Sequence, residues 1–370
     1  MRTFLTCLVF VFLAIPGYSV AQSAAAPSTP LRVAIIGLVH GHVAGFLGPA
    51  LKRSDIQIVG IAEPDQRLAH RYATQFHLDP RLLFTDAEQM LAKVQPQAVL
   101  LYTNTRDHRP MVEMAARHHI PVMMEKPLAV STEDALAIQH AADTAHIPVL
   151  VNYETTWYPS NHAAYQLVRE GALGDIRKVV VHDGHQGPKE IDVPPEFLDW
   201  LTDPVRNGAG ALFDFGCYGA DLMTWLMNGE APLTVTAVTQ QIKPEIYPNV
   251  DDEATVILTY PHAQAILQAS WNWPFDRKDM EVYGATGQAI TVRRDGLRVR
   301  RKGEDHEQLQ APPPLAAPNS DPISYLIAVV TGKLQPTGLS ALDTNVTVVR
   351  ILDAARESAG TGRTIQLAGR

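Results

Sequence analysis

From Leu31 onward, short apolar runs alternate regularly with helix-length segments. Strands that read as nearly continuous apolar runs are typical of parallel sheets with both faces covered, and helices between successive strands supply that cover. The runs are RVAIIG, IQIVGIA, QAVLLYT, IPVMME and IPVLVNY. Residues 31–151 are therefore predicted to form an α/β domain around a parallel sheet.

Two helix starts in this part carry a capping pattern. Thr85 stands three residues before Glu88, and Ser131 stands three residues before Asp134. A hydroxyl followed three positions later by a carboxylate can satisfy the free N–H groups of a helix start. The pattern predicts Thr85 and Ser131 as N-cap residues.

The pattern changes near residue 152. One helix-like segment, SNHAAYQLVREGALG, is followed by alternating strands that include KVVVHDG, LTVTAVTQQI, EATVILTY and AQAILQASWNW. Such runs indicate a mainly antiparallel sheet. Residues 152–370 are predicted as a second, α+β domain with a large open sheet, and alternation in its last run would place Trp271 and Trp273 on one side of a strand. Both are weak substrate-site or interface candidates beside the commoner alternative of core packing.

The turn after the first strand resembles a dinucleotide-binding turn. Such a turn uses three glycines, for the bend, for approach of the pyrophosphate and for helix packing. Here the three positions hold Gly37, Val39 and His42, with an additional Gly41. Glu63 ends the second run, where a carboxylate binds the adenosine ribose and repels a 2′-phosphate. A Rossmann domain that prefers NAD, with NADP less favoured, is the prediction.

Two longer motifs point to a family. MMEKPLAVS at 123–131 and GAGALFDFGCYGADLMTWLMNG at 208–229 resemble signatures of the Gfo/Idh/MocA oxidoreductases, and GALGDIRKV, YTNTRDH and MEVYGATG also fit. The resemblance covers essentially the whole chain after the first 30 residues. It implies a Rossmann domain, a C-terminal α/β domain whose open sheet often forms a homo-oligomer interface, and hydride transfer between a nicotinamide cofactor and a sugar or polyol carbinol.

The resemblance also implies site residues. Lys126 matches the lysine of the Glu-Lys-Pro motif, and Asp214 and Tyr218 match the later carboxylate and proton-transfer residue. Carbinol oxidation needs a group that takes the hydroxyl proton. A phenol can do so if a neighbouring ammonium lowers its pKa, so Lys126 is expected to lower the pKa of Tyr218.

The remaining positions carried over are expected to hold cofactor or sugar. The cofactor set is Gly37, Val39, His40, Glu63, Thr103, His108, Glu125 and Asn152. The substrate set is Trp157, His185 and Lys189. Three positions depart from the family pattern: Val39 replaces a glycine, Asn104 a frequent proline and Trp157 a frequent arginine.

Histidine pairs raise the question of a metal. His40 with His42 and His182 with His185 are close in sequence, but neither pair has an obvious third ligand nearby. No metal is therefore expected.

The net charge and the N-terminal segment limit the kinds of partner and the location that can be expected. The 370 residues contain 31 Lys and Arg against 39 Asp and Glu, a net charge of -8, which argues against nucleic acid. Residues 1–21 read as a Sec-type secretory signal and 22–30 as a linker, so an exported, periplasmic or extracellular protein without stable membrane insertion is expected. Signal cleavage would leave Cys217 as the only cysteine.

Three functions remain open at this stage. The first is an exported NAD(P)-dependent oxidoreductase acting on a sugar or sugar derivative. The second is an NAD-dependent glycoside hydrolase that oxidises its substrate transiently. The third is a non-catalytic sugar-binding protein with a decayed nucleotide site, which Val39 suggests.

Overall fold

The computed structural model describes residues 29–367, which form two sheets and the helices around them. The predicted signal segment and residues 22–28 of the predicted linker lie outside the described residues. None of the described helices combines the length and the apolar character needed to cross a membrane.

The first part is the predicted parallel sheet with helical crossovers. Its strands are β1 Leu31–Ile36, β2 Ile56–Ala62, β3 Leu83–Phe84, β4 Ala98–Leu101, β5 Val122–Glu125 and β6 Val149–Asn152. Its helices are α1 His42–Ala50, α2 Gln66–Phe76, α3 Ala87–Val94, α4 His108–Arg117 and α5 Thr132–Ala145. The strands are parallel and lie in the order β3-β2-β1-β4-β5-β6. The chain adds β2 and β3 on one side of β1 and then β4, β5 and β6 on the other, and ligands bind at the switch point between β1 and β4.

The second part is built around a sheet of nine strands. Its helices are α6 Pro159–Arg169, α7 Pro195–Leu201, α8 Pro204–Asn207, α9 Ala211–Asp214, α10 Gly216–Leu226, α11 Pro322–Val330 and α12 Leu342–Thr361. Its strands are β7 Ile176–Gly184, β8 Thr234–Gln240, β9 Glu253–Thr259, β10 Gln264–Ser270, β11 Arg277–Gly284, β12 Gly287–Val292, β13 Gly296–Arg301, β14 Gln308–Gln310 and β15 Ile365–Gln366.

The order of the second sheet is β14-β13-β12-β11-β7-β10-β9-β8-β15. All neighbours are antiparallel except β7 and β10, which run parallel. The α/β fold class, with a Rossmann-type sheet and a mainly antiparallel second sheet, is confirmed.

One predicted helix cap is right and one is wrong. The Ser131 hydroxyl accepts the Asp134 N–H and begins α5. At α3 the cap is Asp86, whose carboxylate accepts the Gln89 N–H. The carboxylate one residue after Thr85 takes the position because aspartate caps a helix at least as well as threonine.

Helix α10 is buried along its whole length and packs on β7 and β10 on one side and on α12 on another. The chain then returns to the first sheet, because Ile323, Leu326 and Val329 of α11 join the apolar cluster that contains Val33 and Ile35 of β1. The packing of α10 fixes the position of every side chain that this helix contributes to the site.

Candidate active site

Lys126 and Asp214 form a buried ion pair between the two parts of the chain. Lys126 follows β5, and its Nζ lies 2.5 Å from Asp214 Oδ1 and 3.0 Å from the Asp214 carbonyl oxygen. Burial by itself lowers the pKa of the lysine, but Asp214 raises it above its usual value. Burial likewise opposes ionisation of Asp214, and Lys126 overcomes this and lowers the pKa of the carboxyl group. The pair is therefore charged at neutral pH.

Trp271 completes the environment of Asp214. Its indole Nε1 donates to Asp214 Oδ2 at 3.0 Å, and its side chain is fully buried. The predicted placement of Trp271 and Trp273 on a strand is wrong, because β10 ends at Ser270. Trp273 instead packs beside His182 and Gly184. Trp271 is thus a positioning residue for Asp214.

Tyr218 lies close to two lysine side chains. The ammonium nitrogens of Lys126 and Lys278 are 5.1 and 5.0 Å from the centre of its ring. The pKa of Tyr218 is nevertheless raised well above its usual value, first by burial and then by Glu154. The expected lowering of this pKa is not found, because loss of solvent around the phenol outweighs the nearby positive charge.

Lys278 and Glu154 form a second ion pair beside Tyr218, and no sequence motif predicted it. Lys278 Nζ bonds Glu154 Oε2, and the Tyr158 hydroxyl donates to Glu154 Oε1 at 2.5 Å. Burial by itself would raise the pKa of Glu154. The ion pair with Lys278 has the opposite effect and prevails, so that the pKa is lowered to about 2. Lys278 lies two positions before the matched segment MEVYGATG, which is the one sequence signal near it.

These residues surround one cavity of about 800 Å³ between the two parts of the chain. Lys126, Asp214, Tyr218 and His185 all line it. Burial lowers the pKa of His185, so its ring is neutral. Its Nδ1 accepts the Gly187 N–H at 2.9 Å, which leaves the proton on Nε2 as a hydrogen-bond donor. The cavity therefore combines an ammonium, a phenol and an imidazole N–H.

The other two predicted substrate residues do not line this cavity. Lys189 is exposed outside it, and only its backbone N–H bonds Tyr247. Trp157 is buried, and its indole donates to Asn152 Oδ1 at 3.0 Å. Asn152 Nδ2 in turn donates to Glu125 Oε1 at 3.0 Å, so both polar ends of Asn152 are used to hold the neighbour of Lys126. Trp157 and Asn152 act as supports in this structure.

The glycine turn has the predicted local geometry. Gly37 has a φ of 84°, and a β-carbon there would lie 2.7 Å from Thr103 Cγ2. Glu63 ends up at the carboxyl end of β2, where its carboxylate accepts the N–H groups of Leu38 and Asp65 at 2.8 and 2.9 Å. Burial raises the pKa of Glu63. Thr103 is buried, so its contribution is to fix the bend at Gly37.

Helix α7 covers this turn. Phe197 lies against Gly41, where a β-carbon would be 2.8 Å from Phe197 Cδ1. The indole of Trp200 donates to the Val39 carbonyl at 3.1 Å. Arg71 of α2 pairs with Glu196 of α7. The residues that would contact the adenosine half of a dinucleotide are thus enclosed, and Glu63 is only 4% exposed.

His40, His42 and Glu125 meet at the base of α1. Their ligand atoms all lie within 4.8 Å of one another, so Glu125 is the third candidate metal ligand that the local sequence lacked. His42 Nδ1 is 3.0 Å from Glu125 Oε2. His40 Nδ1 accepts the His42 N–H, which assigns its proton to Nε2 and leaves that atom a donor rather than a free metal ligand. Absence of a metal therefore stays the prediction.

His108 contacts the backbone of the turn that follows Lys126. Its Nδ1 lies 3.1 Å from the Pro127 carbonyl and 3.2 Å from the Leu128 carbonyl. Burial lowers its pKa to about 4. This histidine positions the segment that carries Lys126 and does not line the cavity.

The described residues fit a nicotinamide dinucleotide in their chemistry. Gly37 provides the bend, Glu63 the ribose carboxylate, and the buried Nε2–H of His40 a donor with no partner among the described residues. A helix N-terminus follows the turn and favours phosphate. Phe197 and Trp200 lie against this turn, and Gly41 and His42 of the turn also line the 800 Å³ cavity.

Comparison with protein families decides the assignment. Residues 31–153 match the model described as oxidoreductase family, NAD-binding Rossmann fold, and residues 161–290 match the GFO/IDH/MocA C-terminal domain. The chain belongs to the Gfo/Idh/MocA oxidoreductase family. Both matches fall on the two parts described above, so the Gfo/Idh/MocA assignment covers the Rossmann sheet and most of the second domain.

Individual members of the family show the range of similarity. A D-apiose dehydrogenase of Rhizobium rhizogenes is 26% identical over 333 residues, 84% of this chain and 90% of that protein. A D-xylose 1-dehydrogenase [NADP(+)] of Haloarcula marismortui is 23% identical over 269 residues, 72% of this chain and 73% of that protein. The fold matches an inositol dehydrogenase homolog of Azotobacter vinelandii complexed with NAD+ at a TM-score of 0.78 and 18% identity, covering 92% and 98% of the two chains.

Proposed function

We propose that this chain is an exported, NAD-preferring oxidoreductase that transfers hydride between a nicotinamide cofactor and a carbinol of a sugar or sugar derivative. The observation that carries the proposal is the meeting of the Lys126 ammonium, the Asp214 carboxylate and the Tyr218 phenol in one cavity. The named sugar dehydrogenases among the relatives support the substrate class.

Side chains of the protein bind the reacting oxygen of the sugar and transfer its proton. Lys126 uses two of its protons on Asp214 and keeps a third for the reacting oxygen of the sugar. Tyr218 keeps its phenol proton because its pKa is raised, so it is ready to donate that proton. His185 Nε2–H can hold a neighbouring hydroxyl group. When bound, the nicotinamide ring supplies or accepts the hydride.

This arrangement favours carbonyl reduction in the first instance. A carbonyl that gains hydride at carbon needs a proton at oxygen, and a neutral phenol beside an ammonium supplies it. The reverse reaction requires the phenolate, which the two lysines stabilise only against the cost of burial. We therefore expect the pH optimum of oxidation to lie above that of reduction.

Preference for NAD follows from Glu63, and export follows from the N-terminal segment. A buried carboxylate at the end of β2 repels a 2′-phosphate. The apolar residues 4–15 and the small residues that follow support secretion. The cover that α7 forms over the turn suits a cofactor that exchanges slowly, as a compartment poor in free nucleotide requires.

A homo-oligomer through the second sheet is also proposed. Val180, Ile266 and Ile257 lie in one register row across β7, β10 and β9, and each is only partly buried. Aliphatic side chains in a row on an open sheet face support association with a second sheet.

The test is to purify the chain, denature it and analyse the released nucleotide, then assay reduction and oxidation with a panel of aldoses and their glycosides. Release of NAD together with a lactone, ketose or alditol product supports the proposal. A freed aglycone with no net change in NAD would assign the glycoside hydrolase instead. Absence of nucleotide both in the purified protein and on titration would leave only sugar binding.

A further inference from the structure

A second cavity of about 400 Å³ lies apart from the candidate active site and shares no lining residue with it. It is enclosed by the loop after β6, by α6, by the end of α10 and by the segments on either side of α11. Five rings form much of its wall: Trp157, His162, Tyr165, Trp225 and Tyr325. Such a wall offers apolar surface to the C–H groups of a ligand.

Hydroxyl and amide groups make up most of the polar lining. Asn228, Asn319, Thr337 and Thr344 line the cavity together with two more hydroxyl groups, those of Thr156 and Ser340. Of the residues that the structure describes, none with an acidic or a strongly basic side chain lines it. Burial lowers the pKa of His162, so this ring adds no charge. The cavity is polar but uncharged.

Two of the lining hydroxyl groups lack hydrogen-bond partners. Thr156 Oγ1 and Ser340 Oγ are buried, and neither has a partner among residues 29–367. Thr156 is only 6% exposed and Ser340 only 1%. Buried hydroxyl groups are usually paired, so Thr156 and Ser340 bring unused hydrogen-bonding capacity to one cavity.

We propose that this cavity is a second binding site, and that it binds a neutral monosaccharide-sized carbohydrate. Apolar rings beside unpaired hydroxyl and amide groups match the alternating C–H and O–H surface of a sugar. A carboxylate or phosphate would be buried without a counter-charge, which costs several times more than burying a hydroxyl group. The proposal does not depend on the catalytic assignment of Lys126, Asp214 or Tyr218.

The chain contains five tryptophans, and this allows the two cavities to be observed separately. We would label the full chain with 5-fluorotryptophan, assign each fluorine resonance by single Trp→Phe variants, and titrate D-glucose, D-xylose and D-glucuronate into the millimolar range. Trp225 reports on the second cavity, and Trp271 reports on the active site through Asp214. Trp157 lines the second cavity but is also joined to the active site through Asn152 and Glu125, so its resonance responds to both.

The proposal expects a saturable shift of the Trp225 resonance, alone or with that of Trp157, on addition of a neutral sugar, and binding of glucuronate at least about tenfold weaker. The double variant Thr156→Val/Ser340→Ala should weaken neutral sugar binding about tenfold, as loss of two hydrogen bonds predicts. Thr155→Val is the matched control, because Thr155 Oγ1 is also buried and unpaired but does not line the cavity.

Three results would overturn the proposal: no shift of the Trp225 resonance with any neutral sugar, equal binding of glucuronate, or equal loss of binding in the Thr155→Val control. The active site is judged separately, because turnover and the Trp271 resonance report on it. A chain that turns over sugar but leaves Trp157 and Trp225 unchanged refutes only the second site. A chain that binds here without turnover refutes only the catalytic proposal.

Discussion

The ring of Phe197 lies where a side chain on Gly41 would stand, with Cδ1 2.8 Å from the position of a β-carbon. The two residues belong to different domains, and their contact closes the turn to which a dinucleotide would bind. We therefore expect the position of α7 to affect the rate of cofactor exchange.

We expect Phe197→Leu to speed NAD association by about tenfold, the effect of removing roughly 1.4 kcal/mol from an opening step. Leucine keeps the position apolar but withdraws the ring from Gly41. Stopped-flow fluorescence of the nucleotide-free protein gives the rate. Phe275→Leu is the control, because Phe275 lines the same cavity and is 78% exposed. Equal rates in both variants and the wild type would show that α7 does not limit entry.

Tyr218→Phe should lower kcat by about 10²- to 10⁴-fold, the usual contribution of a proton-transfer group. Cofactor affinity and melting temperature should change little, because only a hydroxyl group is lost. Steady-state kinetics and nucleotide titration measure the two effects. Tyr153→Phe is matched, since Tyr153 packs edge-on against Tyr218 at 5.4 Å and bonds Asn345 instead of facing the cavity. Full activity in Tyr218→Phe removes the phenol from the mechanism.

Trp271→Phe should shift the acidic limb of the kcat/KM profile to higher pH. The variant loses the N–H that stabilises ionised Asp214, so the pKa of Asp214 rises and its pair with Lys126 is lost at a higher pH. The pH profile is measured from pH 4 to 9. Trp273→Phe serves as the comparison because its indole does not contact Asp214. A uniform loss of activity without a shift would assign Trp271 a structural role alone.

His108 should make the fold less stable in acid. The pKa of His108 is about 4 in the folded chain, against the ordinary value of 6.5 that applies to the unfolded chain. Between pH 6.5 and pH 4 this histidine is therefore protonated in the unfolded chain but not in the folded one. Stability is full above pH 6.5 and falls by up to about 3 kcal/mol as pH drops to 4. His108→Asn keeps an N–H toward the two carbonyls and should flatten this part of the decline. Urea unfolding at pH 7.5, 5.5 and 4.5 measures it, and parallel wild-type and variant curves would contradict the assignment.

Removal of metal should leave turnover unchanged. Purified protein dialysed against EDTA is compared with untreated protein for activity and for bound zinc by mass spectrometry. Because His40 Nδ1 already accepts the His42 N–H, the cluster with Glu125 offers an incomplete ligand set. Stoichiometric zinc that is lost together with activity would identify a metal centre at these three residues.

Local sequence rules predicted what is decided locally. The five apolar runs predicted five of the six parallel strands and missed only the two-residue β3, Ser131 was predicted as a helix cap, and the position of Gly37 predicted the bend with positive φ. The Glu-Lys-Pro motif and the later Asp-Tyr motif predicted a meeting of Lys126 with Asp214, which the structure places 2.5 Å apart. Thr85 failed because a stronger cap stands one residue later.

Other features depend on contacts between distant segments. The cover of the turn by Phe197, the Lys278–Glu154 pair and the support of Glu125 by Asn152 all join residues far apart in the chain. Burial raised the pKa of Tyr218 against the expectation from charge, because exposure cannot be read from the motif. Trp157 stands where the family pattern frequently has arginine, and its buried indole bonds Asn152 and does not line the active-site cavity.

The return of α11 to the first sheet limits how the protein can be dissected. Leu326 and its neighbours shield apolar residues of β1, and Arg53 bonds Asp321 and Ser324 at 3.0 Å. A recombinant fragment that stops after the nucleotide-binding half would expose the apolar surface that α11 covers in the full chain. Any attempt to express that half alone must therefore graft the α11 segment back on, or accept insoluble material.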